Sequence, residues 1–530
     1  MSQDQSPKEA VFLYGAIFIA LLSLLPWLSS YLSQAINVDI AYLSLSAERL
    51  LNGENMSEAY YDTNPPLSII IQIPAVLIAK MGLLPLYHAT SIYALGLLTL
   101  FAGLSYVALR SFKYANTHHV ILTLYAFLLI NTIGAGYDFG QKDHLLGMAL
   151  FPFVLLQILI TQRAPINKTV QCLALLSGSI FILLKPHYGL VPASILIHRA
   201  FVQKRITIFK DPDFLFLSVT ALLYMGILKL FFDDFLTVIL PDVILFYATS
   251  IDMEIVKTGS VFALFPFGCA LLCRVYFKND IPKFVSGLFL LSTVCFIPFI
   301  MQGKGWLYHL LPALILLSCA FAILFYGILE RMVSDIKNVE MRGKVVFTIT
   351  FISLLSIPAY SFINKSSTLT HASYKQTEFV KIVNDCEKEN CSFLILHDMI
   401  NIAPELSVYT GQTHASRFPV MWFAPALLSA GNETDKQTID HRTQKYMMMM
   451  AEDFEKYSPE VLFIAHMPHP TRPDELFNYK DYTLAEAPEL FKKIWNNYDI
   501  SRTIAVDRLD YMPAKKPSEK SMRYDIYRKK

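Results

Sequence analysis

Tyr60-Tyr61-Asp62-Thr63-Asn64-Pro65-Pro66-Leu67 leads into the apolar run 67–84, and whether that run crosses a membrane decides how the rest of the chain is threaded. The Pro65-Pro66 pair removes two backbone donors and fixes two φ angles, holding Asn64 extended before a helix entry. Pro74 and Lys80 interrupt the run, and only a few residues separate it from the next one, 88–109. Hydrophobic residues make up 54% of the 530 and charged residues 17%. That apolar share exceeds a soluble protein's and points to a polytopic membrane protein. Further runs of membrane-spanning character occupy 11–30, 119–136, 145–162, 169–184, 188–200, 213–232, 260–277, 283–301, 310–329 and 345–363. The first follows a polar start with no basic n-region or small-residue cleavage site, so it reads as a retained span.

Charge decides the threading. With 67–84 lying on the outer surface and the N-terminus inside, Lys8, Arg110, Lys113, Arg163, Lys168, Arg199, Lys204, Arg205, Lys210, Arg274, Lys278, Lys283, Arg331, Lys337, Arg342 and Lys344 all face the cytoplasm. These are sixteen of the twenty-three Lys and Arg before residue 364. If 67–84 crosses, most of them move outside, against the positive-inside bias. The expected fold is therefore a polytopic α-helical membrane protein with about eleven transmembrane helices and outer juxtamembrane helices. Residues 1–363 form the membrane part, and 364–530 a soluble extracytoplasmic α/β domain. Helix-then-strand patterns at 377–397 and 452–466, with strands at 500–506 and 522–528, support that last assignment. His466, His469 and the Met447–Met450 run read as a loop and an apolar helix face and not as metal ligands. A net charge of +2 gives no basis for a nucleic-acid partner. Of seven cysteines, Cys386 and Cys391 alone lie in a polar stretch, where export would favour a local disulfide.

The outer loops carry the chemistry. Asp39 opens an amphipathic segment ending at Leu51 and reads as an N-cap. A carboxylate at a membrane boundary is also suited to general-base work. Tyr61, Asp62 and Asn64 offer hydrogen-bonding groups beside the Pro-Pro entry. Lys142, Asp143 and His144 precede the span 145–162, with Asp143 again a candidate cap. Lys185 and His187 lie at another outer span end, and Lys304, Trp306, Tyr308 and His309 at a third. Lys229, inside an apolar run, is a functional candidate by default, although an ion pair with Asp233 would suffice. Arg417 and Trp422 are candidates for an acceptor groove in the C-terminal domain. Several lysines around few carboxylates suit a ligand bearing phosphate. The three histidines with Asp39 or Asp143 would suit a divalent metal ion, although none has ligand spacing on one helix.

This pattern resembles the GT-C superfamily of membrane glycosyltransferases, in particular the branch of protein O-mannosyltransferases and aminoarabinose transferases. The resemblance rests on Asp39 in the first long outer loop, on Asn64-Pro65-Pro66-Leu67 leading into a surface helix, and on Asp143 before a later span. It implies an inverting transfer of a hexose or pentose from a polyprenyl-phosphate donor to a glycan, lipid or protein acceptor at the outer face of a bacterial inner membrane. Asp39 would deprotonate the acceptor and Asp143 would support the acceptor, the donor or a metal. Relatives often carry Lys where this chain has Asn64, which passes the phosphate contact to Lys142, Lys185 or Lys304. Two alternatives stay open: a flippase or transporter of a lipid-linked sugar, and a glycan polymerase or ligase using a lipid-diphosphate donor. No internal repeat of the transporter kind is visible.

Overall fold

The computed structural model describes residues 7–112, 116–204, 210–247, 251–276, 280–363, 369–386, 391–398, 400, 402–429, 436–469, 472–507 and 521–530. Lys113, Arg205 and Lys278, placed above in cytoplasmic loops, lie outside these. The chain forms two compact units, one made of 1–32, 91–226 and 251–366, the other of 33–90, 227–250 and 367–530.

Nine helices among the described residues are long and apolar enough to cross a membrane: Ala10–Ser33, Leu86–Arg110, Thr117–Gly134, Lys142–Thr161, Pro212–Phe231, Met253–Val275, Phe284–Gln302, Leu307–Met332 and Val339–Ser361. They cover nine of the eleven expected spans. The other two are helical but shorter, Lys168–Ile182 with 15 residues and Leu190–Gln203 with 14. The run 67–84 breaks into Leu67–Ile70 and Ile73–Lys80, of 4 and 8 residues. At 1.5 Å per residue neither approaches the ~30 Å of a hydrocarbon core.

In the first unit the helix Lys142–Thr161 is buried without a break from Lys142 to Gln157. Its neighbour Leu311–Met332 comes close because residue 147 is glycine: a Cβ there would sit 2.7 Å from Ile315 Cδ1 and 3.1 Å from Pro312 Cα. A second apolar cluster joins Leu13, Ala16 and Ala20 to Leu122, Tyr125, Tyr326, Val346 and Phe347.

The second unit is built on a six-stranded sheet. Its strands are β1 (Ser392–Leu396), β2 (Thr413–His414), β3 (Val461–His469), β4 (Arg472–Asn478), β5 (Tyr498–Asp507) and β6 (Ser521–Lys529), in the order β2-β1-β3-β6-β5 with β4 beside β3. β1 runs parallel to β2 and β3, while β6 is antiparallel to β3 and β5. The core comprises Phe393, Ile395, Val461, Phe463, Tyr524 and Ile526 with Phe379, Ile382, Val383 and Leu406 from two helices. Cys386 and Cys391 are disulfide-bonded next to β1.

Helix Val38–Leu51 belongs to this unit. Its Ile40 and Ala41 pack with Ile36, Tyr87, Val408 and Tyr409. Arg49 donates to the carbonyls of Ala59, His414 and Ser416, tying the helix to the loop after β2. Lys80 donates to Asn52 at 2.9 Å and fixes the short helix Ile73–Lys80 against it.

Candidate active site

Neither Asp39 nor Asp143 is an N-cap. Helix Val38–Leu51 is capped by Asn37, whose Oδ1 accepts from the backbone N–H of Asp39 at 2.9 Å. Helix Lys142–Thr161 is capped by Gln141, whose Oε1 accepts from the Asp143 N–H at 2.7 Å. In both, an amide side chain two residues upstream does the capping and the acid occupies the second helical position. There the capping amide takes the backbone N–H and the carboxylate is spared for other partners. Asp39 is half-buried; Asp143 is fully buried.

In the first unit a polar cluster forms around Asp143. Lys185 Nζ lies 2.6 Å from Asp143 Oδ1, and both side chains are nearly sealed from water. Lys185 also donates to Gln302 Oε1 at 3.1 Å, and Gln302 Nε2 stands 3.3 Å from His187 Nε2. Tyr188 donates its hydroxyl to the His309 carbonyl at 3.0 Å, linking the Pro186–Gly189 turn to Leu307–Leu310. Lys142 is buried as well, and its charge acts on both Asp143 and His309. Nδ1 of His309 is buried without a hydrogen bond among the described residues. His144 instead accepts from the Gly140 N–H at 2.9 Å and packs against the tilted Phe139 ring at 4.9 Å, which gives it a structural place.

Burial, with the neighbouring Lys185 charge, pushes the His187 imidazole down to about 4, partly opposed by Asp143. It is neutral at neutral pH. Burial also lowers Lys304 below the usual ammonium range. Lys304 lies between Gly303 and Gly305, whose φ angles of 55° and 72° are left-handed. Added Cβ atoms would meet Ile251 Cγ2 at 2.5 Å and Ile255 Cδ1 at 2.8 Å, so only glycine fits either place. Trp306 and Tyr308 stack at 5.7 Å, and Trp306 is 42% exposed.

Around Tyr61, in the second unit, the hydroxyl donates to Asp242 Oδ2 at 2.6 Å. The same oxygen accepts from Tyr446 and Lys445, each at 2.8 Å, while Arg442 pairs with Oδ1 at 2.5 Å. Asp242 is fully buried. Asn64 Nδ2 donates to both oxygens of Asp62, at 3.0 and 3.2 Å, so Asn64 holds a carboxylate where a lysine would carry charge. Arg417 is engaged by Asp453 and Glu452, and Lys229 pairs with Asp233 at 2.5 Å. No group of three or more His, Cys, Asp and Glu converges on a metal position among the described residues.

The site residues chosen from the sequence leave out Gln302, Tyr188 and Asp242. The first two lie within the polar outer-loop stretches 302–309 and 185–188 that supplied Lys304, Lys185 and His187. Asp242 stands in an apolar context, Ile239-Leu240-Pro241-Asp242-Val243-Ile244, and a lone carboxylate there was the available signal.

No protein-family model matches this chain, and no curated protein sequence does. Among solved structures it is similar to ArnT from Cupriavidus metallidurans, crystallised in the apo state, with a TM-score of 0.50 and coverage of 98% of each chain. The fold is that of ArnT. At 12% identity the likeness to ArnT speaks to architecture: a helical membrane body together with a sheet-bearing C-terminal part. At 98% coverage of the chain, the likeness to ArnT is not confined to the apolar helices.

Proposed function

We propose that the chain is an inverting membrane glycosyltransferase that takes its sugar from a polyprenyl-phosphate donor. The observation that carries this reading is the sealed Asp143–Lys185 pair with Lys142 beside it: two cations and one carboxylate in a place closed to water. Such a surplus suits a phosphate whose charge grows as the donor bond breaks, because fixed cations act strongly where water is excluded. Lys304 supplies a further cation on a rigid glycine-flanked turn.

In this reading the Asp39 carboxylate takes the proton from the acceptor hydroxyl. The oxygen's electron pair forms the new bond to the anomeric carbon, and the bond from that carbon to the phosphate oxygen breaks. Polyprenyl phosphate leaves with that electron pair. A single displacement inverts the anomeric centre. Trp306 and Tyr308 offer aromatic faces for a sugar ring. A phosphate at this depth leaves its polyprenyl tail in the bilayer, and the threading argued from Lys and Arg puts the reaction and the C-terminal domain on the outer side of the membrane.

The test is transfer by the purified chain from a panel of polyprenyl-phosphate sugars, wild type against Asp39→Ala, with folding checked by circular dichroism. Donor-dependent transfer that the substitution abolishes is expected. Unchanged transfer removes Asp39 as the base, and transfer from lipid-diphosphate donors alone moves the chain to the polymerase or ligase class.

A further inference from the structure

At the opposite end of the first unit lies a second polar corner, formed by His118, His119 and Arg342. Helix Thr117–Leu129 continues through the π-turn Ile130–Gly134 before the chain returns as Lys142–Thr161, and Phe127 stacks on Phe151 across the hairpin. His118 is therefore about 24 Å, sixteen residues of helix, from the end that carries Asp143. Leu311–Met332 runs back alongside, with Cys319 Sγ at the Thr123 carbonyl and the Tyr326 ring 4.7 Å from His119. Tyr326 Oη is 3.3 Å from His118 Nδ1. The third wall is the start of Val339–Ile363, where a Cβ on Gly343 would lie 3.5 Å from His118 Cε1 and 3.9 Å from Tyr326 Oη.

Among the described residues, three buried nitrogens in this corner have no hydrogen-bond partner: His118 Nε2, His119 Nδ1 and Arg342 Nε. His119 is 7% exposed. A protein does not leave three such groups dry together without strain, since each forfeits hydration. All three can donate. Lys344 is beside them, paired with Glu340, and Glu330 is the acidic group near the Tyr326 hydroxyl.

We propose that His118, His119 and Arg342 bind a phosphate anion, supplied by the headgroup of an anionic phospholipid. The site stands apart from the sugar-transfer centre and holds or fails independently of any activity. Phosphate oxygens would satisfy the three orphan donors at once, with Arg342 supplying the charge. Thr117–Gly134 and Val339–Ser361 begin at this corner, and Leu307–Met332 runs toward it, so the site lies at the ends of three candidate spans.

The test uses the full chain in nanodiscs of phosphatidylcholine alone and with phosphatidylglycerol, and the detergent-solubilised chain with and without inorganic phosphate. The readouts are the unfolding midpoint and the phosphatidylglycerol retained in native mass spectra. Wild type should be stabilised by phosphatidylglycerol and retain it, and Arg342→Gln should bind it roughly tenfold more weakly, the loss expected for one charged hydrogen bond. Stabilisation by inorganic phosphate that the variant also loses assigns the site to free phosphate instead of lipid, which overturns the headgroup source. Equal behaviour of wild type and variant in all conditions overturns the site. His118→Gln, on a half-buried side chain, serves the same comparison if Arg342→Gln does not fold.

Discussion

Lys185 holds Asp143 by an ion pair of 2.6 Å in which neither side chain is more than 9% exposed. Removing one partner of such a pair strands the other charge, which costs about 3–5 kcal/mol, whereas replacing both can be near neutral. Lys185→Met should lower the unfolding midpoint sharply, and Asp143→Asn combined with Lys185→Met should recover most of the loss. Differential scanning calorimetry of the two singles and the double decides it. Additive losses would mean the pair is not coupled.

Asp242 is the matching hub of the second unit. Asp242→Ala leaves Lys445 and Arg442 without their carboxylate and two tyrosine hydroxyls without an acceptor. The expected result is a loss of about 3 kcal/mol or more, with early proteolysis within 33–90 and 227–250. A proteolytic pattern identical to wild type would show that the hub does not hold these segments.

Gly303→Ala forces a side chain into left-handed backbone and against Ile251, and Gly305→Ala does the same against Ile255. Each should destabilise by roughly 1–2 kcal/mol and displace Lys304, so transfer should fall more than stability. Kinetics beside thermal unfolding separates the two effects. Unchanged kcat/KM in a folded variant removes Lys304 from the reaction.

His414 gives the second unit an acid limit. Burial, then the Arg49 charge, pushes its imidazole down to about 3 in the folded chain. The unfolded value is near 6.5, so between those values the unfolded chain binds the extra proton. This contribution is intact above pH ~6.5 and declines as pH falls toward 3. His414→Gln should flatten the pH dependence of the unfolding midpoint between pH 7 and 4.5. A slope equal to wild type would place the acid sensitivity elsewhere.

The Cys386–Cys391 disulfide offers a test of sidedness. In intact cells, a membrane-impermeant reductant followed by an impermeant maleimide should tag both thiols. Tagging only after permeabilisation would put this segment in the cytoplasm, where such bonds are rare, and would invert the threading of the whole chain.

Much of the architecture is fixed by local composition. Apolar runs of span length, the Pro-Pro entry, and alternating helix and strand patterns after residue 376 each follow from the residues within them, because burial in lipid or in a sheet core selects side chains locally. The same holds for the failure of 67–84 to form one long helix, written in Pro74 and the short segments around it. Partners across long separations are not local. Lys185 meets Gln302 across 117 residues, Tyr61 meets Asp242 across 181, and Asn37 and Gln141 displace the acids as caps through turn geometry that composition does not encode. The sequence by itself therefore determined a helical membrane body with an α/β C-terminal part and the neighbourhoods rich in lysine, histidine and acid. Only the tertiary structure decided that Asp143 is sealed with Lys185 and that Tyr61 serves Asp242, because a buried charge takes whichever partner packing delivers within about 3 Å.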